Sequence, residues 1–584
     1  MSSSTSYDEV TENEVEQSDS VQILLNCENC KDCESSKYHE FHGSRKHLSR
    51  ESSYFQSMFN SGFAESQSDK IKMSGIPASA LDALIKWSDG RITNFKYQFE
   101  NENLDVYEVL QASAMILFEM PLKCCCDFLV STMSIFNACK VLKMSEIYAM
   151  EDLFNKTLRF LLWSFDNYNF EGEFLDSEFL KLPLKLVILI LGNVNLKTRS
   201  ELRVFQAILA WVNHDSPHRR KHLEELFQCV NSCALMDNER AIIYECPELP
   251  KLTSLQDGNR RFVPQVPCCV GKYKKEPYVF MYDETDVVNP MKPFLSLVGK
   301  ASDKNGTTAN GFQVASTGRY LFIIGGEFGL GRSNWNTTIW RYDMILENWE
   351  EIMELQTTRR HHVLASSDEA VYIIGGFGKH RVKLDLVDKL HGQQIDSLPP
   401  LPNPMYNVAS FVYDDKLFVF QSSDNVWMLD GEKWVGASDV HLPADIRQLM
   451  RNAPDEFEFH SVLPYQKELY FTRKYSSSLH KFNLNKPFGV GYFSPEELLG
   501  EFQNEAQNVC LVDGKIYNFS TGGAELSYKE RSSTVEVYDI ANKEFKVVFE
   551  PKNDEEELDF YSLFISFGLV KYPHCKLPID KPSC

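Results

Sequence analysis

Three groups of residues have the types and spacing that could do chemistry. Cys27, Cys30 and Cys33 stand three apart with His39 and His42 close behind, and thiolates with imidazoles are the ligand set of zinc. A structural zinc site takes four ligands, with pairs on separate turns, whereas these cysteines crowd one short stretch, LNCENCKDCESSKYHEF. They read as solvent-exposed loop thiols, and no metal is expected. Cys124, Cys125 and Cys126 lie in a helical segment, where neighbours point to different faces and form no chelate. The run Gly325-Gly326-Glu327-Phe328-Gly329-Leu330-Gly331 has the look of a phosphate loop. Such a loop must open onto a helix N-terminus, but SNWNTTIWRY follows and alternates as a strand does. No Ser-His-Asp or Cys-His set stands at interpretable positions, so neither an enzyme nor a cofactor is expected.

The glycines have a better explanation. Phe322-Ile323-Ile324-Gly325-Gly326 returns as Tyr372-Ile373-Ile374-Gly375-Gly376 after 50 residues, and a period of that size marks an array of β-rich units. Degenerate copies extend it: an aromatic within a short apolar run recurs at Tyr278, Phe322, Tyr372, Phe418, Tyr470 and Tyr517, at intervals of 44, 50, 46, 52 and 47 residues. A unit that cannot bury its own apolar face must stack on copies of itself, so six units are expected.

Around the best copy the phrase lengthens to Tyr342-Asp343, Trp349, Leu355, Arg359 and His362 before Gly375-Gly376. This resembles the kelch repeat, whose units are four-stranded propeller blades. Other copies are worn: Tyr538-Asp539 carries Phe545 in the tryptophan position, and the glycine pair is lost after Phe418 and Tyr470. Segment 560–570, FYSLFISFGLV, has too little chain after it for another blade and reads as the strand returning to complete the first.

The N-terminal half has a helical rhythm. FHGSRKHLSRESSYFQSMFNSGFAES (41–66), IKMSGIPASALDALIKW (71–87) and VYEVLQASAMILFEMPLKCCCDFL (106–129) resemble a BTB domain, in which Cys27, Cys30 and Cys33 would fall in a hairpin loop. Leu48, Tyr54, Phe55, Met58 and Phe59 are spaced to share one helix face. Two polar positions depart from that family: Ser20 stands for the usual Asp and Ser44 for the usual His. NACKVLKMSEIYAMEDLFNKTLRFLLWSF (137–165) and ELRVFQAILAWVNHDSPHRRKHLEELFQCV (201–230) resemble the helical BACK domain. Val204, Phe205, Ile208, Leu209, Trp211 and Val212 keep a buried-face rhythm, and Asp215-Ser216-Pro217 ends that helix.

The expected fold class is therefore multidomain: an α+β BTB domain at 18–133, an all-α BACK domain at 134–240 and an all-β six-bladed kelch propeller at 273–573. An acidic disordered tail (1–17), a linker (241–272) and a C-terminal tail (574–584) complete it. Composition narrows the function. The net charge of −22 argues against a general nucleic-acid surface. The longest apolar run, LKLVILILG (184–192), falls far short of the roughly 20 residues a membrane span needs. No basic start precedes an apolar stretch, so no secretory signal is expected, and fifteen cysteines read as reduced thiols of a cytoplasmic protein.

The order BTB, BACK, kelch resembles the kelch-like family, which commonly supplies substrate adaptors to cullin-three ubiquitin ligases. The resemblance implies a non-catalytic protein whose BTB domain forms a homodimer and, with the start of BACK, binds the cullin, while the propeller face holds a protein substrate. Leu117-Phe118-Glu119 fits the hydrophobic-x-Glu pattern of cullin-binding relatives, against the plainer reading of a core leucine beside a solvated glutamate. On the propeller the repeat points to Arg359 and Arg360, and to loops around Arg332, Lys379-His380-Arg381, Arg473-Lys474 and Glu525. Arg359 also reads as a structural blade residue, because the equivalent positions hold Ala309, Met405, Phe457 and Asn504. The competing function is a cytoskeletal scaffold with actin as partner.

Overall fold

A computed structural model describes residues 19–26, 38–60, 68–170, 177–231, 234–244, 261–286, 289–303, 306–422, 425–436, 459–483, 497–506, 508–522, 532–550, 558–559 and 565–572. The acidic tail, Cys27, Cys30, Cys33 and Glu525 lie outside these residues. The chain divides into two compact units, Met1–Phe262 with His574–Cys584, and Val263–Pro573.

In the first unit, strand Ser20–Asn26 pairs antiparallel with Tyr38–Ser44 and parallel with Lys70–Met73. Its alternate residues Val21, Ile23 and Leu25 are buried in one cluster with Leu48, Phe55, Leu81 and Leu84 of the helices, as a period of two requires. The helix face expected to carry Leu48, Tyr54, Phe55, Met58 and Phe59 is divided between two helices, Arg45–Glu51 and Ser53–Asn60. The break is Ser52, which takes an extended conformation and donates its hydroxyl to the Ile116 carbonyl at 2.6 Å. The acid sought at position 20 is Asp19, one residue earlier, which accepts from the Ser44 hydroxyl at 2.5 Å. Ser44 in turn accepts from His47 N–H as an N-cap.

The other described elements of this unit are helices, with Ala138–Ile147, Glu151–Ser164, Leu184–Leu191 and Glu201–His214 among the longer ones. Val204, Phe205, Ile208, Trp211 and Val212 are buried as expected, and Leu209 is half-buried. Asp215 caps the helix end, and Pro217 opens the next short helix.

Among the described residues the second unit contains six antiparallel blade sheets, five of four strands and one, blade I, of five, in which the short strand Leu558–Asp559 joins the four named below. From first strand to fourth they are, for blade I, Ile565–Val570, Gln265–Tyr273, Glu276–Tyr282 and Met291–Ser296. Blade II runs Gln313–Thr317, Tyr320–Ile324, Thr338–Asp343, Asn348–Glu354, and blade III Val363–Ser366, Ala370–Ile374, Val387–His391, Gln394–Leu398. Blades IV, V and VI begin at Ala409–Tyr413, Phe459–Tyr465 and Val509–Val512. Neighbouring first strands touch in that order, and blade VI touches blade I, so the ring closes.

The returning strand is confirmed: Ile565 pairs with Val270 and Val570 with Gln265. Five of the six sequence anchors sit on second strands, but Tyr278 lies on the third strand of blade I. The second strand there is Gln265–Tyr273, so residues assigned to a linker belong to the propeller. The misplacement has a physical cause. Blade I takes its first strand from the far end of the chain and turns from second to third strand through only Lys274 and Lys275, so it carries no glycine pair to mark the second strand.

Candidate functional site at the propeller mouth

Strand order decides which loops can meet. With four antiparallel strands per blade, the connection from second to third strand and the one from fourth strand to the next blade both emerge at the same face. The glycine pairs hold these two sets of loops against each other. Gly326 N–H donates to the Arg359 carbonyl and Gly376 N–H to the Met405 carbonyl. A Cβ on Gly375 would lie 2.2 Å from the Met405 oxygen, and one on Gly325 2.6 Å from the Arg359 oxygen, approaches that only glycine permits.

At this face a cavity of 1230 Å³ opens among the starts of the first strands, with His361, Asn407, Tyr475 and Asn504 in its lining. His361 is held in the left-handed region (φ 49°) and bonds Asn310 Oδ1 through Nε2 at 3.0 Å. Its backbone N–H donates to the Gly311 carbonyl, and its own carbonyl accepts from Asn407 N–H. Burial, then the neighbouring Arg360 charge, lowers the His361 pKa. His362, wholly buried, is pushed well below the usual imidazole range by burial and then by Arg359.

The exposed apolar residues point to the same face. Of the large apolar side chains exposed in the described part of this unit, Val298, Leu330, Val382, Leu386, Tyr406 and Tyr475 stand in its loops. Only Val435 and Leu498 lie elsewhere, on fourth strands. Such concentration marks an interaction surface. Phe377 and Tyr406 form an open aromatic pair with centroids 4.4 Å apart, and Lys383 Nζ lies 4.9 Å over the Tyr406 ring.

Of the residues singled out from sequence, Arg332, Lys379, His380 and Arg381 are exposed in these loops, and Arg473 is half-buried over the rings of Phe459 and Phe471. Two are corrected. The Arg359 side chain is 0% exposed and pairs with Asp388 at 2.5 Å, and Arg360 is buried against Glu327 at 3.5 Å. A guanidinium that must find a carboxylate inside the fold is not offered to a partner. Sequence reasoning missed His361, Phe377, Tyr406, Asn407 and Tyr475. Tyr406 and Asn407 directly follow Met405, the position aligned with Arg359, so reading one or two residues further would have found them.

In the first unit the Leu117-Phe118-Glu119 triplet splits. Leu117 is 50% exposed at φ 52°, and Met115, Glu119 and Met120 are exposed beside it in sequence. Phe118 is buried edge-on to Phe55 and cannot touch a partner, which corrects its assignment to the cullin surface. Among the described residues no three potential metal ligands stand together, and no helix is long and apolar enough to cross a membrane.

Comparison with known proteins places these features. A BTB/POZ domain model matches residues 13–133, the BACK (BTB And C-terminal Kelch) model 138–240, and the Kelch motif 309–356, which is blade II with its entering loop. Kelch-like protein 23 of Homo sapiens is 23% identical over 357 residues, 58% of this chain and 60% of that protein. Kelch-like protein 30 of Homo sapiens is 22% identical over 361 residues, with the same shares of 58% and 60%. Kelch-like protein 2 of Rattus norvegicus is 28% identical over 179 residues, 31% of this chain and 28% of that protein. The chain thus matches 60% of the length of the first two relatives.

Proposed function

We propose that this chain, a BTB-BACK-kelch protein of the kelch-like family, is a non-catalytic cytoplasmic adaptor of a cullin-three ubiquitin ligase. The observation that carries the reading is Leu117. An exposed leucine in the left-handed region, directly before the helix Glu119–Ser131, is held out by the burial of Phe118 behind it. A leucine kept in water at a strained backbone position has no role in the core it adjoins. Beside the acid of Glu119 it fits the hydrophobic-x-Glu contact of cullin-binding relatives.

The adaptor forms no bonds of its own. A BTB homodimer presents two propeller mouths, and a substrate held at either raises the local concentration of its lysines near the charged ubiquitin enzyme. The test is co-purification of the full chain with the N-terminal region of the cullin, repeated with Leu117→Asp and Glu119→Ala together. Binding that survives both changes removes Leu117 from the interface. An intact chain that never binds, yet sediments with actin filaments, establishes the scaffold instead.

A further inference from the structure

We infer that the Arg261–Glu201 ion pair is a latch on the connection that leads from the first unit into the second. Closed, it leaves Val263 as the joint; opened, it lets the connection lengthen back towards Tyr244, the next described residue upstream. The inference goes beyond the adaptor reading and holds whichever partners the two units take.

Backbone bonds fix where the joint lies. The chain passes from the first unit to the second between Phe262 and Val263. Phe262 N–H donates to the Val194 carbonyl at 3.0 Å, inside the first unit, and the Pro264 carbonyl accepts from Lys571 N–H at 3.0 Å, inside the second. Gln265 then pairs with Val570 as part of blade I. Val263 stands between these anchors with no described backbone hydrogen bond of its own. It is β-branched and precedes a proline, which confines its backbone to the extended region, and the proline ring fixes the following φ. The joint is therefore short and stiff.

Its near side depends on Arg261. Phe262 is 56% exposed, and a single backbone bond at an exposed position opens readily. Arg261 adds four more bonds: its guanidinium donates to both carboxylate oxygens of Glu201, to the Asn193 carbonyl at 2.8 Å and to the Cys229 carbonyl at 2.7 Å. One side chain thus ties the end of the unit to the loop after Leu184–Leu191, to the first turn of Glu201–His214 and to the turn after Leu223–Phe227. Only the planar fork of an arginine reaches several acceptors at once.

The hold turns on one carboxylate. The Glu201 side chain is 2% exposed and that of Arg261 10%, and Glu201 also accepts from Asn231 N–H at 3.0 Å. A guanidinium left inside the fold without its carboxylate is costly. Loss of the acid therefore expels Arg261, and Phe262 loses its support. Length and stiffness of a connection set the effective concentration of one bound partner near another, so the state of this pair governs how two partners held by one chain meet.

The experiment is limited digestion of the full chain with trypsin, read by mass spectrometry at the 261–262 bond, with Arg260→Gln in every chain so that one site is followed. Trypsin must take the Arg261 side chain into its own acidic pocket, which the closed latch forbids. In Glu201→Gln, cleavage there should rise at least about tenfold, the least that a lost buried bond between charged groups gives. The rise is scored against cleavage after Arg159, which is buried in the helix Glu151–Ser164 and reports unfolding of the whole unit. Arg261→Lys keeps the charge and a trypsin site but loses the fork, and should fall between the two. A rise at position 261 matched by one at Arg159, or no rise in either variant, overturns the inference. Small-angle X-ray scattering gives a second measure. The radius of gyration should grow in Glu201→Gln as it does when a short Gly-Ser segment is inserted after Val263 with the latch intact. Growth with the insertion but none with Glu201→Gln shows that the pair does not govern the connection, and sinks the latch.

Discussion

Arg359 and Asp388 form a buried ion pair that ties the loop entering blade III to that blade's third strand. Blade VI makes the same tie without a cation. Glu536, opposite Asn518 as Asp388 is opposite Ile373, accepts from the Asn504 backbone N–H at 3.1 Å and its side-chain amide at 3.0 Å. Asn504 is the residue aligned with Arg359, so two opposite blades fix one loop by charge in one case and by neutral donors in the other.

The pair therefore serves stability, and its removal should be read in melting rather than binding. Breaking a buried pair from one side costs roughly 3–5 kcal/mol, because the other charge is stranded. Arg359→Met should lower the melting temperature by several degrees, and adding Asp388→Leu should restore most of the loss. Differential scanning calorimetry of the full chain checks both points, and a double variant less stable than Arg359→Met refutes the account.

Gly375 and Gly392 share φ 58°, but only Gly375 faces backbone, with a Cβ position 2.2 Å from the Met405 oxygen; around Gly392 nothing lies within 4 Å. Alanine at Gly392 should cost about 1 kcal/mol from backbone strain alone. Alanine at Gly375 must also push two loops apart, and should cost at least about 2 kcal/mol more. Chemical denaturation of the two variants compares them directly, and equal losses would contradict the role given to the glycine pair.

These glycines also show what the sequence could reveal. Blades II and III were legible because the close approach between their loops admits no Cβ, which leaves a residue type behind. Blade I was displaced by one strand because its two-residue turn, Lys274-Lys275, needs no such approach. The site was legible only in part. Exposed cations such as Arg381 announce themselves by type. Tyr406 does not, because whether a loop tyrosine points to solvent or into a blade depends on its neighbours' packing. Arg359 shows the converse: its type suggested a surface cation, while its isolation among the repeats suggested a structural blade residue, and its carboxylate inside the fold bears out the second.

Partly and wholly buried thiols give a pH-dependent expectation. Burial pushes Cys126 and Cys229 up to about 11 and Cys510 up to about 12, from an ordinary 9.0. Thiolate is the reactive form, so near neutral pH these cysteines should alkylate far more slowly in the native chain than after unfolding. The folded state holds its thiol protons more tightly, so the stability they contribute is whole below pH 9.0 and is lost as pH rises towards about 12. Iodoacetamide labelling read by mass spectrometry, with and without denaturant, tests the first point. Rapid native labelling of Cys510 would show that it is not enclosed.

The last expectation separates the two halves of Leu117-Phe118. Leu117 is half exposed, so Leu117→Asp should leave the melting temperature nearly unchanged while abolishing cullin binding. Phe118 is fully buried against Phe55, and its truncation to alanine should cost roughly 3–5 kcal/mol through lost burial and the cavity left behind. Phe118→Leu keeps most of the volume and should retain both folding and binding. Melting and cullin co-purification on the three variants make the comparison. If Leu117→Asp unfolds the domain, the leucine is part of the core and its exposure carries no function. If Phe118→Leu folds normally but loses the cullin, the contact runs through the buried ring and the surface assigned to Leu117 and Glu119 is wrong.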